Sequence, residues 1–291
     1  MSTVTKPMMV GSALLRRRPS GGATWFNRFI IFLALLLLVV AVFGDRLAPL
    51  DPYRVMPHDA LLPPSREHWF GTDQQGRDVF SRLLVGARST LLSSVLIVAA
   101  GAFIGVAIAA VAASVPRWLD QLIMRVCDIA LALPNMVLAL GIAMALGPSL
   151  RSALIALVIS LCPSYIRMSR VVMRETMTAS YFEAARLMGA SRWRIVTRHL
   201  LPNSTDLLGV QAAFDVGGMA LMLGGLSFIG VGAQPPSAEW GAMAADGRSE
   251  VITAWWMAFF PGVAITLSVI TFGLLGELLQ TWRDPNLRET S

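Results

Sequence analysis

The amino-acid sequence predicts an all-α integral membrane protein with six transmembrane helices, and three observations indicate this class. The 291 residues are 55% hydrophobic and only 14% charged, which is too apolar for an ordinary soluble domain. The apolar residues fall into six stretches, each long enough to cross about 30 Å of hydrocarbon as a helix. The links between the stretches are short, except for three longer segments at residues 44–88, 173–203 and 232–253.

The first 25 residues are polar and basic, and we interpret residues 1–25 as a cytoplasmic tail ahead of a first span at residues 26–43. Arg16, Arg17 and Arg18 precede the span, and positive flanks favour the cytoplasmic side. A secretory signal also has a basic start and an apolar centre. This apolar run is long for a signal, however, and no small-residue cleavage site follows it, so an uncleaved span is predicted.

Residues 44–88 form a proline-rich polar segment, predicted to be periplasmic and irregular at first. The segment ends in HWFGTDQQGRDVFSRLLVGAR. Asp73 is predicted to cap a helix near residues 74–85, with apolar side chains on one face and Arg77 and Asp78 elsewhere. This pattern is typical of a helix at the membrane surface. Two interpretations stay open, a gating or binding element and a lead-in without substrate contact.

The rest of the chain is predicted to form one core of five further spans, residues 89–280, followed by a cytoplasmic tail at residues 281–291. The spans and the longer connections, in chain order, are span two at about 90–115, span three at 123–146, span four at 150–172, a polar loop at 173–203, span five at 206–231, an external loop at 232–253 and span six at 254–279.

The distribution of basic residues sets the orientation of these spans. With the N-terminus inside, 16 of the 24 lysine and arginine residues fall on cytoplasmic segments and 8 on external ones. Cytoplasmic segments normally carry this excess. The sequence therefore predicts that both termini and the loop at residues 173–203 are cytoplasmic.

The cytoplasmic loop contains SYFEAARLMGASRWRIVTRHLLPN, which we interpret as two short helices at an elbow. Ser180 and Glu183 have the spacing of a capping box. Gly189 suits the left-handed position that ends a helix, and Pro202 is predicted to stop the second one. Helices this short need a surface to pack on. A docking site on another protein is one interpretation, and an ordinary amphipathic connector is the other.

Glu183-Ala184-Ala185, Gly189 and Leu201-Pro202 resemble the "EAA" loop of bacterial ABC-transporter permeases. In that family the loop is the cytoplasmic coupling helix, which sits in a groove of the ATPase subunit. The resemblance implies the type I ABC importer permease fold. The residues that it implies for ATPase docking are Glu183, Ala184, Ala185, Met188, Gly189, Ala190, Arg192, Arg194 and Pro202. For the two arginines, attraction to anionic lipid is an equal alternative to an acidic ATPase rim.

Two sequence patterns in the external segments make the resemblance more specific, because they are similar to one branch of ABC importers. G-T-D-x-x-G-R-D, and P-x-x-x-W-G-x-M in the last external loop, are similar to the second-permease ("C-type") subunit of the dipeptide, oligopeptide and nickel importer branch, as is the Asp284-Pro285 ending. The resemblance makes these patterns candidates for binding-protein docking or an outer gate, and the alternative is structural capping of the external face. The candidate residues are Asp73, Arg77, Asp78, Pro235, Pro236, Glu239 and Trp240.

Three acidic residues within the spans are functional candidates, because a charge in the membrane is costly. Asp215 lies deepest and is a candidate for the translocation pathway, with helix packing or a partner permease as the alternative. Asp128 lies one turn from Arg125, and a local ion pair explains it. Glu277 lies near the cytoplasmic end of span six, facing either the ATPases or the headgroup zone.

The sequence indicates no catalytic, cofactor or metal site in this chain. Lys6 is the only lysine, so a phosphate-binding P-loop, which needs a lysine, is excluded after it. The chain is therefore predicted to be a transport subunit and not an enzyme, with ATP and Mg²⁺ on partner subunits. Cys127 and Cys162 lie in apolar stretches and are interpreted as core residues, and the three histidines follow no ligand spacing.

The predicted function is an ATP-driven importer permease of a bacterial inner membrane, which works by alternating access. The resemblance implies a second homologous permease, two ATP-binding subunits and an extracytoplasmic solute-binding protein, with no nucleic acid. Di- or oligopeptides are the favoured cargo, and a nickel chelate or another small solute is the alternative. A secondary transporter would carry paired intramembrane charges and inverted repeats, and an intramembrane enzyme would carry a catalytic constellation in its spans. The sequence shows neither.

Overall fold

A computed structural model of the chain describes residues 21–177 and 201–283, and nine α-helices lie within those residues. No strand occurs in the described part. A π-helical turn at Arg88–Leu92 joins α2 to α3, and 3-10 turns lie at Pro57–Asp59 and Gly247–Glu250. The α-helices are α1 (Gly21–Leu47), α2 (Val79–Ala87), α3 (Ser93–Ser114), α4 (Arg117–Leu131), α5 (Asn135–Leu146), α6 (Leu150–Met177), α7 (Leu201–Phe228), α8 (Trp240–Asp246) and α9 (Trp256–Arg283).

Five helical segments of the described part are long and apolar enough to cross a membrane. They are Trp25–Leu47, Val79–Ser114, Leu150–Met173, Leu208–Phe228 and Trp256–Trp282. A sixth crossing results if the bent pair α4 and α5 counts as one span. The prediction of an all-helical membrane protein is confirmed.

The helices pack around α3, α6 and α7, which supply most of the central apolar core. The tightest neighbours are α3 with α6 and α7 with α9. Leu157 on α6 and Leu223 and Leu226 on α7 are fully buried in this core. By contrast, Phe32, Leu35 and Leu38 on α1 are mostly exposed, as expected for a helix that faces lipid or another subunit.

The third predicted span, residues 123–146, is not one straight helix. It consists of α4 and α5, which are bent by 94° at a short break. Pro134 lies in the break, just before α5. Proline has no backbone N–H and disfavours helical geometry in the residue before it, which explains why α4 cannot continue through this position.

The helix predicted for residues 74–85 begins later and is not a separate surface helix. Asp78, not Asp73, is the N-cap, and its carboxylate accepts a hydrogen bond from Ser81 N at 2.8 Å. Gly76 has φ of +74°, a backbone conformation that a helix cannot contain. The helix then runs from Val79 to Ser114 as one apolar segment, so it leads directly into the second span.

Other boundaries differ from the sequence prediction by a few residues. The first helix extends beyond residues 26–43 on both sides, and α6 continues past residue 172 to Met177. Pro202 lies in the first turn of α7, where its missing N–H would have no helical partner anyway. The rest of the proposed docking loop, residues 178–200, lies outside the described residues.

Candidate functional site

Two segments distant in the sequence fold together at one end of the helix bundle. They are the polar segment that leads into α2 and the loop that contains α8. Gln74 Nε2 donates to the carbonyl of Asp246 at 3.2 Å and to Ser249 Oγ at 3.1 Å. Trp256 Nε1 donates to the carbonyl of Thr72 at 3.0 Å. The two segments therefore form one structural unit.

Glu239 organises the loop, because its buried carboxylate caps α8. Oε1 accepts from Gly241 N at 3.0 Å and Oε2 from Ala242 N at 2.9 Å. The hydroxyl of Thr90, in the π-helical turn, donates to the same carboxylate at 3.2 Å and accepts from Trp240 N at 3.1 Å. These bonds fix α8 against the start of the second span.

The Trp240 indole completes this attachment. Its Nε1 donates to the carbonyl of Leu83 at 2.9 Å, and the side chain is almost fully buried. The ring packs inside the protein because α2 lies directly beside α8.

An ionic cluster of Asp73, Arg77, Arg82 and Asp246 lies beside this attachment, and we call it the Arg82 cluster. Arg77 Nε lies 2.6 Å from Asp73 Oδ2, and Arg82 Nε lies 3.6 Å from the same oxygen. Arg77 Nη2 lies 3.9 Å from Asp246 Oδ2. Burial raises the pKa of the Asp246 carboxyl, while Arg82 and Arg77 act in the opposite direction.

The guanidinium of Arg82 also holds backbone from two further segments. Nη1 lies within 3.5 Å of the carbonyls of Pro52 and Pro236, and Nη2 lies 3.3 Å from the carbonyl of Ser237. A separate buried pair joins His68 Nδ1 to Asp78 Oδ1 at 3.0 Å. The polar face predicted for this helix therefore faces the protein interior.

The structure separates the seven residues proposed for docking or gating into two groups. Asp73, Arg77, Asp78, Glu239 and Trp240 are all at most 5% exposed, so their side chains bind other parts of this chain. Pro235 and Pro236 are exposed. Of these seven residues, the two prolines are the ones whose side chains a docking protein can reach directly in this conformation.

Asp215 lies on α7 within the apolar segment Leu208–Phe228 and is half-buried. Its carboxylate accepts two hydrogen bonds, one from Tyr165 Oη on α6 at 2.7 Å and one from Gln211 Nε2 at 3.0 Å. The sequence singled out Asp215 but not Tyr165, which lies 50 residues away in the chain. Both donors are neutral, so they orient the carboxylate without compensating its charge.

The interpretation of Asp128 needs correction. Its carboxylate pairs with Arg167 Nη1 of α6 at 3.7 Å, and not with Arg125 on its own helix. A second pair that the sequence interpretation missed joins Asp120 of α4 to Arg170 of α6, and both side chains are largely buried. Arg167 and Arg170 are three residues apart on α6, and residues at that spacing share a helix face. This spacing was the signal in the sequence that could have predicted both ion pairs.

Of the proposed ATPase-docking residues, Glu183, Ala184, Ala185, Met188, Gly189, Ala190, Arg192 and Arg194 lie outside the described residues.

Cys127 and Cys162 are buried free thiols, as predicted. Among the described residues, no group of three histidine, cysteine, aspartate or glutamate side chains is arranged to hold a metal ion.

Comparison with known proteins identifies the class of protein. The family model described as "Binding-protein-dependent transport system inner membrane component" matches residues 101–289. A solved structure titled as an inward-facing conformation of the MetNI methionine ABC transporter is similar in fold, with a TM-score of 0.57 at 17% identity, over 68% of this chain and 95% of that chain. This fold and this family define a membrane permease of an ABC importer.

Three curated relatives place the chain more closely. It is 43% identical to the probable D,D-dipeptide transport system permease protein DdpC of Escherichia coli strain K12, over 86% of this chain and 84% of the relative. It is 41% identical to a putative peptide transport system permease protein of Brucella suis, over 97% and 93%. The glutathione transport system permease protein GsiD of Pectobacterium atrosepticum is 37% identical, over 87% and 85%.

The chain therefore belongs to the family of binding-protein-dependent transport system inner membrane components. It is a transport subunit and not an enzyme. As an inner-membrane component of such a system, it works together with an ATPase and a solute-binding protein.

Proposed function

We propose that this chain is one of the two permeases of an ATP-driven importer that carries di- or oligopeptides into a bacterial cell. The observation that supports the cargo is the group of relatives named for dipeptide, peptide and glutathione transport, at 37–43% identity over most of both chains. A nickel chelate or another small solute is the second candidate cargo, because the binding protein makes the first selection.

The proposed assembly has a second homologous permease, two ATP-binding subunits and one extracytoplasmic binding protein. Neither ATP nor Mg²⁺ binds this chain in the proposal, because the only lysine is Lys6 and a P-loop needs a lysine after its glycines. ATP binding closes the two ATPases, and the coupling loops at residues 173–203 follow that movement. The spans then repack and open the cavity to the opposite side.

We also propose that both termini are cytoplasmic. The excess of arginine on the segments assigned to that side supports this orientation. The Arg82 cluster and α8 then lie on the periplasmic side, where Pro235 and Pro236 form part of the surface that meets the binding protein. Protease treatment of inverted membrane vesicles, with a tag at each terminus, checks the orientation.

Reconstitution of the complete transporter tests the proposed function. The two permeases, the ATPases and the binding protein are placed in proteoliposomes, and uptake of a labelled dipeptide is measured with ATP on the ATPase side. We expect uptake that needs ATP and binding protein together, and binding protein loaded with peptide should stimulate ATP hydrolysis. Uptake without ATPase subunits would contradict the proposal, and uptake of a nickel chelate but not of peptides would favour the second cargo.

A further inference from the structure

Asp215 places a carboxyl group at a depth where a charge is costly, and its described partners Tyr165 and Gln211 are neutral. At 1.5 Å per residue it lies about 10 Å along α7 from Leu208, the start of the apolar segment. Tyr165 and Gln211 supply one hydrogen bond to each carboxylate oxygen. Among the described residues, no basic side chain lies within the 4.0 Å limit of an ion pair with it. A carboxylate accepts about four hydrogen bonds, so acceptor capacity remains.

The carboxylate lies on a face of α7 that is open to the space beside the helix. The residues on this face recur every three to four positions along the helix, and all are half-buried: Gln211, Asp215, Gly218, Met222 and Gly225. A Cβ added at Gly218 would meet no heavy atom within 4 Å. On the opposite side, a Cβ at Gly217 would lie 3.1 Å from Val269 Cα of α9.

One side of α7 is therefore packed on α9, whereas the side that carries Asp215 has free space beside Gly218, and Met222 farther along that side packs on the apolar core. Near the far end of the open face, Met136 Cε of α5 would lie 3.0 Å from a Cβ added at Gly225. The open face is thus bounded by α5 at one end and by Tyr165 of α6 at the other. The face carries two polar side chains, Gln211 and Asp215, and two glycines within the apolar segment of α7.

We propose that the Asp215 carboxylate binds the amino-terminal ammonium group of the peptide cargo as it passes along this face. An intramembrane charge normally has a partner, and a positively charged group that moves with the cargo supplies one. Every peptide with a free amino terminus carries such a group near neutral pH, because its pKa is about 8. The inference rests on the proposed peptide importer and names the cargo group that its pathway recognises.

The test compares wild type with Asp215→Asn in the reconstituted transporter, with a dipeptide that has no ionisable side chain as cargo. The ratio of the two uptake rates is measured at about pH 6.5 and about pH 9, on either side of the amine pKa. Any pH effect on the binding protein or the ATPases enters both rates equally. We expect the wild-type advantage to fall about fivefold as the amine loses its charge, because the carboxylate then has no cation to attract.

Tyr165→Phe is the matched control, since it removes one hydrogen-bond donor but keeps the carboxylate. Its uptake rate relative to wild type is expected to stay constant with pH. If Asp215→Asn is not recovered from membranes, the ratio of wild-type to variant uptake rates is measured with Asp215→Ser instead.

Two results would overturn the inference. A wild-type to Asp215→Asn ratio that does not change with pH would show that the charge does not sense the amine. Loss of the second permease from the purified Asp215→Asn complex would show instead that the charge pairs between subunits. If the wild type itself takes up no peptide, the proposed function fails, which is a different outcome.

Discussion

Arg82 shows how many parts of a protein one buried side chain can hold together. It is 2% exposed, and its guanidinium reaches Asp73, the turn at Pro236 and Ser237, and the carbonyl of Pro52. A planar guanidinium with five donors can hold several acceptors in different directions, whereas a lysine ammonium cannot reproduce that geometry. The arginine therefore joins α2 to two parts of the 44–88 segment and to the loop before α8.

We expect Arg82→Lys to reduce the free energy of unfolding by about 3 kcal/mol, because breaking a buried, hydrogen-bonded ion pair costs about that much. The measurement is the thermal unfolding midpoint of the purified complex in detergent. Arg88→Lys is the matched control, since Arg88 pairs with Asp45 at an exposed position and exposed pairs contribute little. Equal midpoints for the two variants would contradict the role assigned to Arg82.

At the scale of helices, two local features determine how the elements pack: a break between two helices and a close helix crossing. Pro134 separates α4 from α5 and lets them bend by 94°. The second feature is the crossing of α8 with α7, where Gly241 lies against the backbone of Gly224. A Cβ at Gly241 would lie 2.7 Å from the carbonyl carbon of Gly224, which is far inside van der Waals contact. The loop helix can approach α7 only because this position has no side chain.

Gly241→Ala is therefore expected to separate α8 from α7 and to destabilise the protein by about 2 kcal/mol, since overpacking against rigid backbone costs 1–3 kcal/mol. Thermal unfolding of the complex measures the change. Gly262→Ala on α9 is the control, because an added Cβ there meets nothing within 4 Å and alanine favours a helix over glycine. A Gly241→Ala variant as stable as Gly262→Ala would show that α8 is mobile enough to adapt.

At the scale of the whole molecule, the two ends of the bundle have different construction. The end with α8 is closed by buried ion pairs and a buried capping carboxylate, which make it one rigid unit. At the other end, α4 and α6 are joined by Asp120–Arg170 and Asp128–Arg167, and α6 continues directly toward the proposed coupling loop. A movement of that loop would therefore act directly on α6, and through these ion pairs on α4.

This arrangement makes Glu183 the residue to test for coupling in our proposal. We expect Glu183→Ala to reduce uptake while the ATPases still hydrolyse ATP, because the capping box with Ser180 is lost and the docking helix frays. Glu183→Gln keeps a capping box and should be milder. Uptake and ATP hydrolysis are measured in parallel in proteoliposomes. Wild-type values of both in Glu183→Ala would count against the docking role, and Glu67→Ala, at an exposed position in the 44–88 segment, is the control.

The class of protein could be predicted from the order of the amino acids alone, because apolar stretches of about 20 residues have one stable arrangement in a bilayer, the helix. The sequence also singled out Asp215, since an acidic residue among apolar ones is visible without a structure. It predicted one span at residues 123–146, where the structure has two helices bent by 94°, and it missed this bend although Pro134 was visible in the sequence.

Which charges are buried, and which groups they bind, could be seen only in the folded protein. Arg82 and Pro236 are 154 residues apart, and Tyr165 and Asp215 are 50 residues apart, so no local pattern could pair them. The polar face of α2 looked like a solvated surface because amphipathicity shows which residues share a face, not what covers that face. The physical reason is that helix formation depends on neighbours in the chain, whereas burial and ion pairing depend on neighbours in space.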